Sequence, residues 1–196
     1  MVIAYSLVVV KFILSPVSPY LIVLALPGAA AELRDEWLPL TTLLAKDMNC
    51  VCVLVYLDSM AKPWVVKDIV DILSVQVLLN TFHAEKAIFL GKSFGGLLAQ
   101  EFVLQYPQQA ISLVLFAPAG GNHDHIERLC KHTAVPLFLG WTADDPSYLH
   151  HSKFTRSCTQ KDFVFHSELY GGHAITQEYY EQVSQFLTLY KPQRSP

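Results

Sequence analysis

Short apolar runs alternate with amphipathic stretches along most of this chain. The apolar runs of strand length are residues 5–14, 20–26, 50–57, 87–90, 111–117, 135–140 and 163–166. The stretches with helical spacing are residues 32–46, 64–82, 94–106, 123–132 and 176–190, and residues 147–158 form a less distinct helical candidate. Continuous apolar strands are typical of parallel sheets that helices cover. The pattern therefore predicts an α/β protein with a mostly parallel central sheet, helices on both faces and the N-terminal strand as an antiparallel edge.

Length and composition limit how many domains the chain can form. Its 196 residues, 52% of them hydrophobic and 16% charged, suffice for one domain with a substantial core. No internal repeat or low-complexity segment divides the sequence. We expect a single domain over residues 1–191 and a frayed C-terminal tail over residues 192–196.

The N-terminal 26 residues are apolar enough to raise the question of targeting. Lys11 interrupts this stretch, Pro16 and Pro19 break it, and no basic segment precedes it. The longest uninterrupted piece is far shorter than the ~20 residues that a membrane-spanning helix requires. Two strands joined by a proline-containing turn explain the pattern better. We expect a cytoplasmic protein without a membrane span, with secretion or anchoring as the alternative.

Charge and cysteine spacing exclude several classes of partner. The net charge is −3 and no run of Lys and Arg stands out, so we expect no nucleic-acid binding. The four cysteines, Cys50, Cys52, Cys130 and Cys158, lack zinc-type spacing, and we expect free, mostly buried thiols in a reducing compartment. The His-Asp-His run at 123–125 offers too few ligands for a metal. We expect neither a metal nor a cofactor.

One stretch combines a strand, a sharp turn and a helix. The apolar run 87–90 meets the Gly-x-Ser-x-Gly pattern of Gly91, Ser93 and Gly95, and a helical pattern follows at once. This is the context of a nucleophile elbow, in which a serine occupies a strained turn with its hydroxyl exposed. Glycines on both sides remove the Cβ atoms that would collide there. Ser93 is therefore the candidate nucleophile.

A serine nucleophile needs a base, and the base should follow a later strand at the same edge of the sheet. Of eight histidines, His173 alone directly follows a strand in a loop, after the flexible Gly171-Gly172 pair. The other histidines precede a strand, lie inside one or belong to helical and polar stretches: His83, His123, His125, His132, His150, His151 and His166. We expect His173 to be the general base.

Two neighbouring aspartates follow the strand predicted at 135–140. Either Asp144 or Asp145 could orient His173, while the other serves as a turn or capping residue. Pro146 restricts Asp145 to extended or turn geometry, which suits a side chain that reaches across the end of the sheet. The order serine, aspartate, histidine is the one expected of α/β-hydrolases.

Three motifs in this order resemble those of the α/β-hydrolase superfamily. Residues 91–99 look like its nucleophile elbow, residues 135–146 are similar to its acid strand, and the Tyr-Gly-Gly-His of 170–173 resembles its histidine loop. In that pattern the acid is the aspartate directly before proline, which selects Asp145. The resemblance covers nearly the whole chain and implies the α/β-hydrolase fold.

A fourth turn bears on the oxyanion hole. Residues 26–29, followed by Trp37, resemble the superfamily's His-Gly-x turn, with Pro27 in place of the histidine. The resemblance implies an oxyanion hole made of the backbone N–H groups of Ala29 and Phe94. Residues 117–135 leave no room for a lid insertion, so we expect no cap domain.

These expectations define a serine hydrolase that cleaves a small ester or thioester through an acyl-enzyme on Ser93. The partner would be a small-molecule acyl substrate, and the oligomeric state stays open. A non-catalytic binding or signalling module on the same fold is one alternative, since fold does not fix function. An acyltransferase with the same triad is another. Lys92, beside the nucleophile, could attract an anionic substrate or point to solvent, and we favour solvent.

Overall fold

The computed structural model describes ten parts of the chain. They are residues 9–13, 21–26, 28, 36–56, 79, 84–119, 123–146, 158, 162–168 and 170–190. The helices expected at 64–82 and 147–158 lie outside the described residues, apart from positions 79 and 158. The expected tail at 192–196 lies outside them as well.

The described residues contain seven strands: β1 (Val9–Ile13), β2 (Leu21–Leu26), β3 (Cys50–Tyr56), β4 (Ala87–Lys92), β5 (Ala110–Phe116), β6 (Leu137–Thr142) and β7 (Phe163–Glu168). They form one sheet in the order β1-β3-β2-β4-β5-β6-β7. The pairings from β3 to β7 are all parallel, whereas β1 pairs antiparallel with β3 at the edge. The predicted sheet, including its antiparallel edge, is confirmed.

Four α-helices accompany the described strands. They are α1 (Leu38–Met48), α2 (Ser93–Gln105), α3 (His123–His132) and α4 (Glu178–Tyr190). The helix predicted from residue 32 begins as α1 only at Leu38, with Pro39 in its first turn. Proline is tolerated there because the N–H that it lacks would have no helical partner. A short 3-10 turn of Glu36 and Trp37 precedes α1.

Helices cover both faces of the sheet, as the continuous apolar strands predict. Within β4, Phe89 packs into the hydrophobic cluster that contains Phe102 of α2. Its neighbour Ile88 packs into the opposite cluster, with Leu44 of α1 and Val183 of α4. Alternate residues of a strand point to opposite faces, so both of these faces are apolar and buried. This packing leaves the strand ends as the place for polar chemistry.

The cysteines depart in part from expectation. Cys50 and Cys52 are free and buried on neighbouring positions of one strand face, as predicted. Cys130 and Cys158 are joined by a disulfide, so the expectation of four free thiols is wrong for this pair. Their Cα atoms lie 5.3 Å apart, within the usual range for a disulfide, although 28 residues separate them in sequence. The cysteines therefore no longer support a reducing compartment.

The part of the chain that the structure describes contains no helix long and apolar enough to cross a membrane.

Candidate active site

Ser93 occupies the turn between β4 and α2. Its φ angle of 49° lies in the left-handed region, which non-glycine residues seldom adopt. A Cβ atom on Gly91 would lie only 2.7 Å from the Cα atom of Gly96, so the strand and the helix approach more closely than any other residue would allow. The structure thus has the sharp strand–turn–helix that a nucleophile elbow requires.

The described surroundings of Ser93 offer one candidate donor for an oxyanion and a close approach of the chain at Gly28. Phe94 lies in the first turn of α2, where backbone N–H groups have no helical acceptor and the helix dipole is positive. Gly28, at the exit of β2, lies against the serine: a Cβ atom on Gly28 would be 3.4 Å from Cβ and 3.9 Å from Oγ of Ser93. The chain at Gly28 therefore reaches the nucleophile candidate. Ala29 itself lies outside the described residues.

His173 and Asp145 are in direct contact. Nδ1 of the imidazole lies 2.6 Å from Oδ2 of Asp145. The Asp145 side chain is 1% exposed, whereas that of His173 is 37% exposed. A buried carboxylate on Nδ1 fixes the imidazole with its other nitrogen, Nε2, free to act as a base. Of the two aspartates that the sequence left open, the structure places Asp145 on the histidine.

Asp144 binds the backbone of the same loop instead. Its carboxylate accepts hydrogen bonds from the N–H groups of Gly172, at 2.8 Å, and Gly171, at 3.2 Å. These bonds hold the pKa of Asp144 below its ordinary value, and the bond from Gly172 has the larger effect. The Thr142 hydroxyl also donates to the carbonyl of Gly172. Gly171 and Gly172 have φ angles of 144° and 56°, so the loop uses the freedom that the sequence predicted.

Lys92 does not point to solvent, and that expectation is wrong. Its side chain is 1% exposed and forms an ion pair with Glu36, which is 11% exposed. The other oxygen of Glu36 accepts the backbone N–H of Ile175 at 2.7 Å. A buried ammonium requires such a partner because its desolvation is costly. Sequence reasoning missed Glu36, and the only available signal was a lysine within an otherwise buried strand end.

The remaining histidines of the described residues lie within other helices and strands. His125 of α3 pairs with Glu101 of α2, which ties the two helices together. His166 lies within β7, as predicted. Across the described parts of the chain, no group of three or more His, Cys, Asp or Glu residues could hold a metal ion. Three other histidines, His83, His150 and His151, lie outside these parts.

The three predicted residues lie at one edge of the sheet. Ser93 directly follows β4, Asp145 follows β6 and His173 follows β7. Because these strands are parallel, their carboxyl ends face the same side, where α/β proteins carry their sites. The hydrogen bond described within this group joins His173 and Asp145. The arrangement combines a histidine bound to a buried carboxylate with a serine at a helix N-terminus, and these groups together are suited to acyl chemistry.

This sheet, with a serine elbow after one strand and an Asp–His pair after two later ones, defines an α/β hydrolase. The chain belongs to the family described as Serine aminopeptidase, S33, whose model matches residues 59–183. It is also 38% identical over 71 residues to a homoserine O-acetyltransferase of Thermus thermophilus. That stretch is 36% of this chain and 17% of the relative, so the chain spans a small part of the relative's length.

Solved structures share the fold over nearly the whole chain. A Bacillus cereus carboxylesterase superposes with a TM-score of 0.63 at 16% identity, covering 95% of this chain and 96% of that one. A proline iminopeptidase from Mycobacterium smegmatis gives a TM-score of 0.66 at 11% identity, covering 92% and 94%. At such identities the likeness establishes the fold alone.

Proposed function

We propose that this protein is a serine hydrolase that cleaves a small ester or thioester through an acyl-enzyme on Ser93. The observation that carries the proposal is the 2.6 Å contact between His173 and the buried carboxylate of Asp145. A histidine oriented in this way has few structural uses, since its ring is 37% exposed and adds little to the core.

The reaction would begin with attack of Ser93 Oγ on the acyl carbon. His173 Nε2 takes the hydroxyl proton as the bond forms, and Asp145 stabilises the resulting imidazolium. The tetrahedral oxyanion would accept hydrogen bonds from the backbone N–H groups of Phe94 and Ala29. One such donor is typically worth about 3–4 kcal/mol in the transition state.

Collapse of the tetrahedral intermediate would release the alcohol or thiol, protonated by His173, and leave the acyl group on Ser93. Water then attacks the acyl-enzyme while the same imidazole accepts its proton. The second collapse frees the acid and restores the serine hydroxyl. His173 thus moves a proton in both directions, which requires Nε2 to be free while Nδ1 stays on Asp145.

An acyltransferase is the second candidate, favoured by the similarity to the acetyltransferase of Thermus thermophilus. It would form the same acyl-enzyme and differ only in the acceptor, an alcohol or amine in place of water. Hydrolysis remains the primary proposal because the model of a hydrolase family matches a longer part of the chain, residues 59–183.

The proposal is tested by labelling with a fluorophosphonate probe and by hydrolysis of p-nitrophenyl acetate. The native protein is expected to be labelled at Ser93 and to hydrolyse the ester, and Ser93→Ala should lose both while its circular dichroism is unchanged. Ser184→Ala is the matched control, because Ser184 lies on α4 and should retain both. Labelling that persists in Ser93→Ala would reject this nucleophile.

Product analysis separates the two candidate reactions. Incubation of the ester with homoserine as an added acceptor should yield mainly free acetate if the protein is a hydrolase. Predominant O-acetylhomoserine would instead identify an acyltransferase.

A further inference from the structure

One carboxylate connects the two halves of the candidate site. Oε2 of Glu36 forms the ion pair with Nζ of Lys92, the residue directly before Ser93. Oε1 of the same group accepts the N–H of Ile175, two residues after His173, at 2.7 Å. Glu36 therefore links the serine turn to the histidine loop, although it is 56 residues from Lys92 and 139 from Ile175 in sequence.

The surroundings of Glu36 make this link rigid. The next residue, Trp37, is fully buried. Its ring packs on Phe116 of β5 with centroids 5.6 Å apart, which anchors the turn that carries Glu36. Lys92 is held in the backbone of β4, which pairs with both β2 and β5. Both partners of the ion pair are therefore adjacent in sequence or in the sheet to buried residues of the core.

The histidine loop is held on both sides of His173. On the N-terminal side, Asp144 binds the N–H groups of Gly171 and Gly172. On the C-terminal side, Glu36 binds the N–H of Ile175. The N-terminal side has a second contact, from the Thr142 hydroxyl to the Gly172 carbonyl. Removal of the Glu36 contact therefore leaves the imidazole on a loop fixed from its N-terminal side alone, where two glycines offer little resistance to rotation.

We propose that Glu36 is a positioning residue that sets the distance between Ser93 and His173 by accepting the backbone N–H of Ile175, while Lys92 neutralises its buried charge. This inference rests on the proposed function, because the distance matters only if the histidine serves the serine. A misplacement of about 1 Å in a reacting group can cost about 100-fold in rate. The charge of Lys92 is neutralised by Glu36 and is therefore not a binding group for an anionic substrate.

A pair of double variants isolates the hydrogen bond to Ile175 from the buried charges. Glu36→Met with Lys92→Met removes both charges and the acceptor while keeping unbranched side chains of similar length. Glu36→Gln with Lys92→Met also removes both charges, but its amide oxygen can still accept from Ile175. The two proteins thus differ at one group, and neither leaves an unpaired buried charge.

The expected result is a fall in kcat without a matching change in KM. With p-nitrophenyl acetate, the Met/Met variant should lose about 10- to 100-fold in kcat, and its rate of fluorophosphonate labelling should fall by the same factor. Its KM should stay within about twofold, because no contact to substrate is removed. The Gln/Met variant should stay within about fivefold of the native kcat. Hydrogen exchange of the Ile175 amide should accelerate in the Met/Met variant alone.

Several outcomes would overturn the inference. Native kcat in both folded double variants, or an equal loss in both, would mean that the bond to Ile175 does not position the histidine. If the Met/Met variant fails to fold, Glu36→Asp replaces it, and hydrogen exchange of the Ile175 amide shows whether the shortened acid still accepts that N–H. An unchanged kcat with faster exchange of this amide, or a lost kcat with native exchange, refutes the positioning role. A native protein that is neither labelled nor active would refute the proposed function itself.

Discussion

Replacement of Asp145 by asparagine is the sharpest test of the candidate site. The substitution keeps the shape of the side chain but removes its charge and turns one acceptor into a donor. Asp145 Oδ2 is 2.6 Å from Nδ1 of His173. An amide nitrogen at that place would donate to Nδ1, so the ring proton would move to Nε2, the nitrogen that must accept from Ser93.

The size of the effect follows from burial. The Asp145 side chain is 1% exposed, so water cannot replace the lost charge. Loss of an orienting carboxylate of this type lowers kcat by about 10⁴ in a well-studied serine protease. We expect about 10³–10⁴ here, which corresponds to about 4–5.5 kcal/mol in the barrier. KM should change little, because the carboxylate does not contact the substrate.

The neighbouring residue supplies a matched control. Asp144→Asn is the same chemical change one position away, at an exposed side chain that binds Gly171 and Gly172. Its amide oxygen can keep one of these two bonds, so we expect a loss of less than about tenfold. Steady-state hydrolysis of p-nitrophenyl acetate by both variants decides the matter. Equal losses, or the larger loss in Asp144→Asn, would show that Asp145 is not the orienting acid.

Three further predictions concern stability and substrate size. Replacing Cys130 and Cys158 by serine should lower the free energy of unfolding, measured in urea, by about 3–4 kcal/mol, because the disulfide closes a loop of 28 residues in the unfolded chain. Unchanged stability would contradict a structural disulfide. Gly91→Ala should lower the free energy of unfolding by about 1–3 kcal/mol, because its added Cβ would overpack the core. The loss should exceed that of Gly28→Ala, whose added Cβ would lie 3.4 Å from its nearest atom. The reverse ranking in thermal denaturation would refute this packing argument. Because α3 is the helix described between β5 and β6 and spans only 10 residues, we expect no deep acyl channel. kcat/KM should therefore be highest for acetyl or butyryl p-nitrophenyl esters, and a steady rise to the dodecanoyl ester would contradict an open cleft.

The central sheet could be predicted because burial on both faces leaves a simple pattern. The continuous apolar run of β3 and the alternation of apolar and helical stretches depend only on local composition. The positions of Asp145 and His173 after consecutive strands also follow, since parallel strands end at one edge. A delay of the first helix at Pro39 also follows from the sequence, and α1 begins at Leu38 after the 3-10 turn of Glu36 and Trp37.

Long-range pairings were not predictable from local pattern. The sequence predicts Lys92 in solvent, since a lysine is seldom buried unless a partner is present. Its partner, Glu36, is 56 residues away and has no motif of its own. The Cys130–Cys158 bond was missed for the same reason: 28 residues separate two cysteines that share no recognisable spacing. Such contacts exist only after the sheet has brought the segments together.

Three carboxylates surround the histidine loop, and their electrostatic situations predict different tolerance to neutral replacements. The charge of Glu36 is neutralised by Lys92, so the pair adds no net charge to the site and acts only through the geometry of the histidine loop. Asp144 binds neutral N–H groups, and an amide can replace it in part. Of the three, only Asp145 contacts the imidazole of His173, which becomes cationic during the proposed reaction, so a neutral isostere cannot replace its charge. Charge is therefore indispensable at Asp145, whereas at Glu36 a hydrogen-bond acceptor should suffice once Lys92 is also neutral.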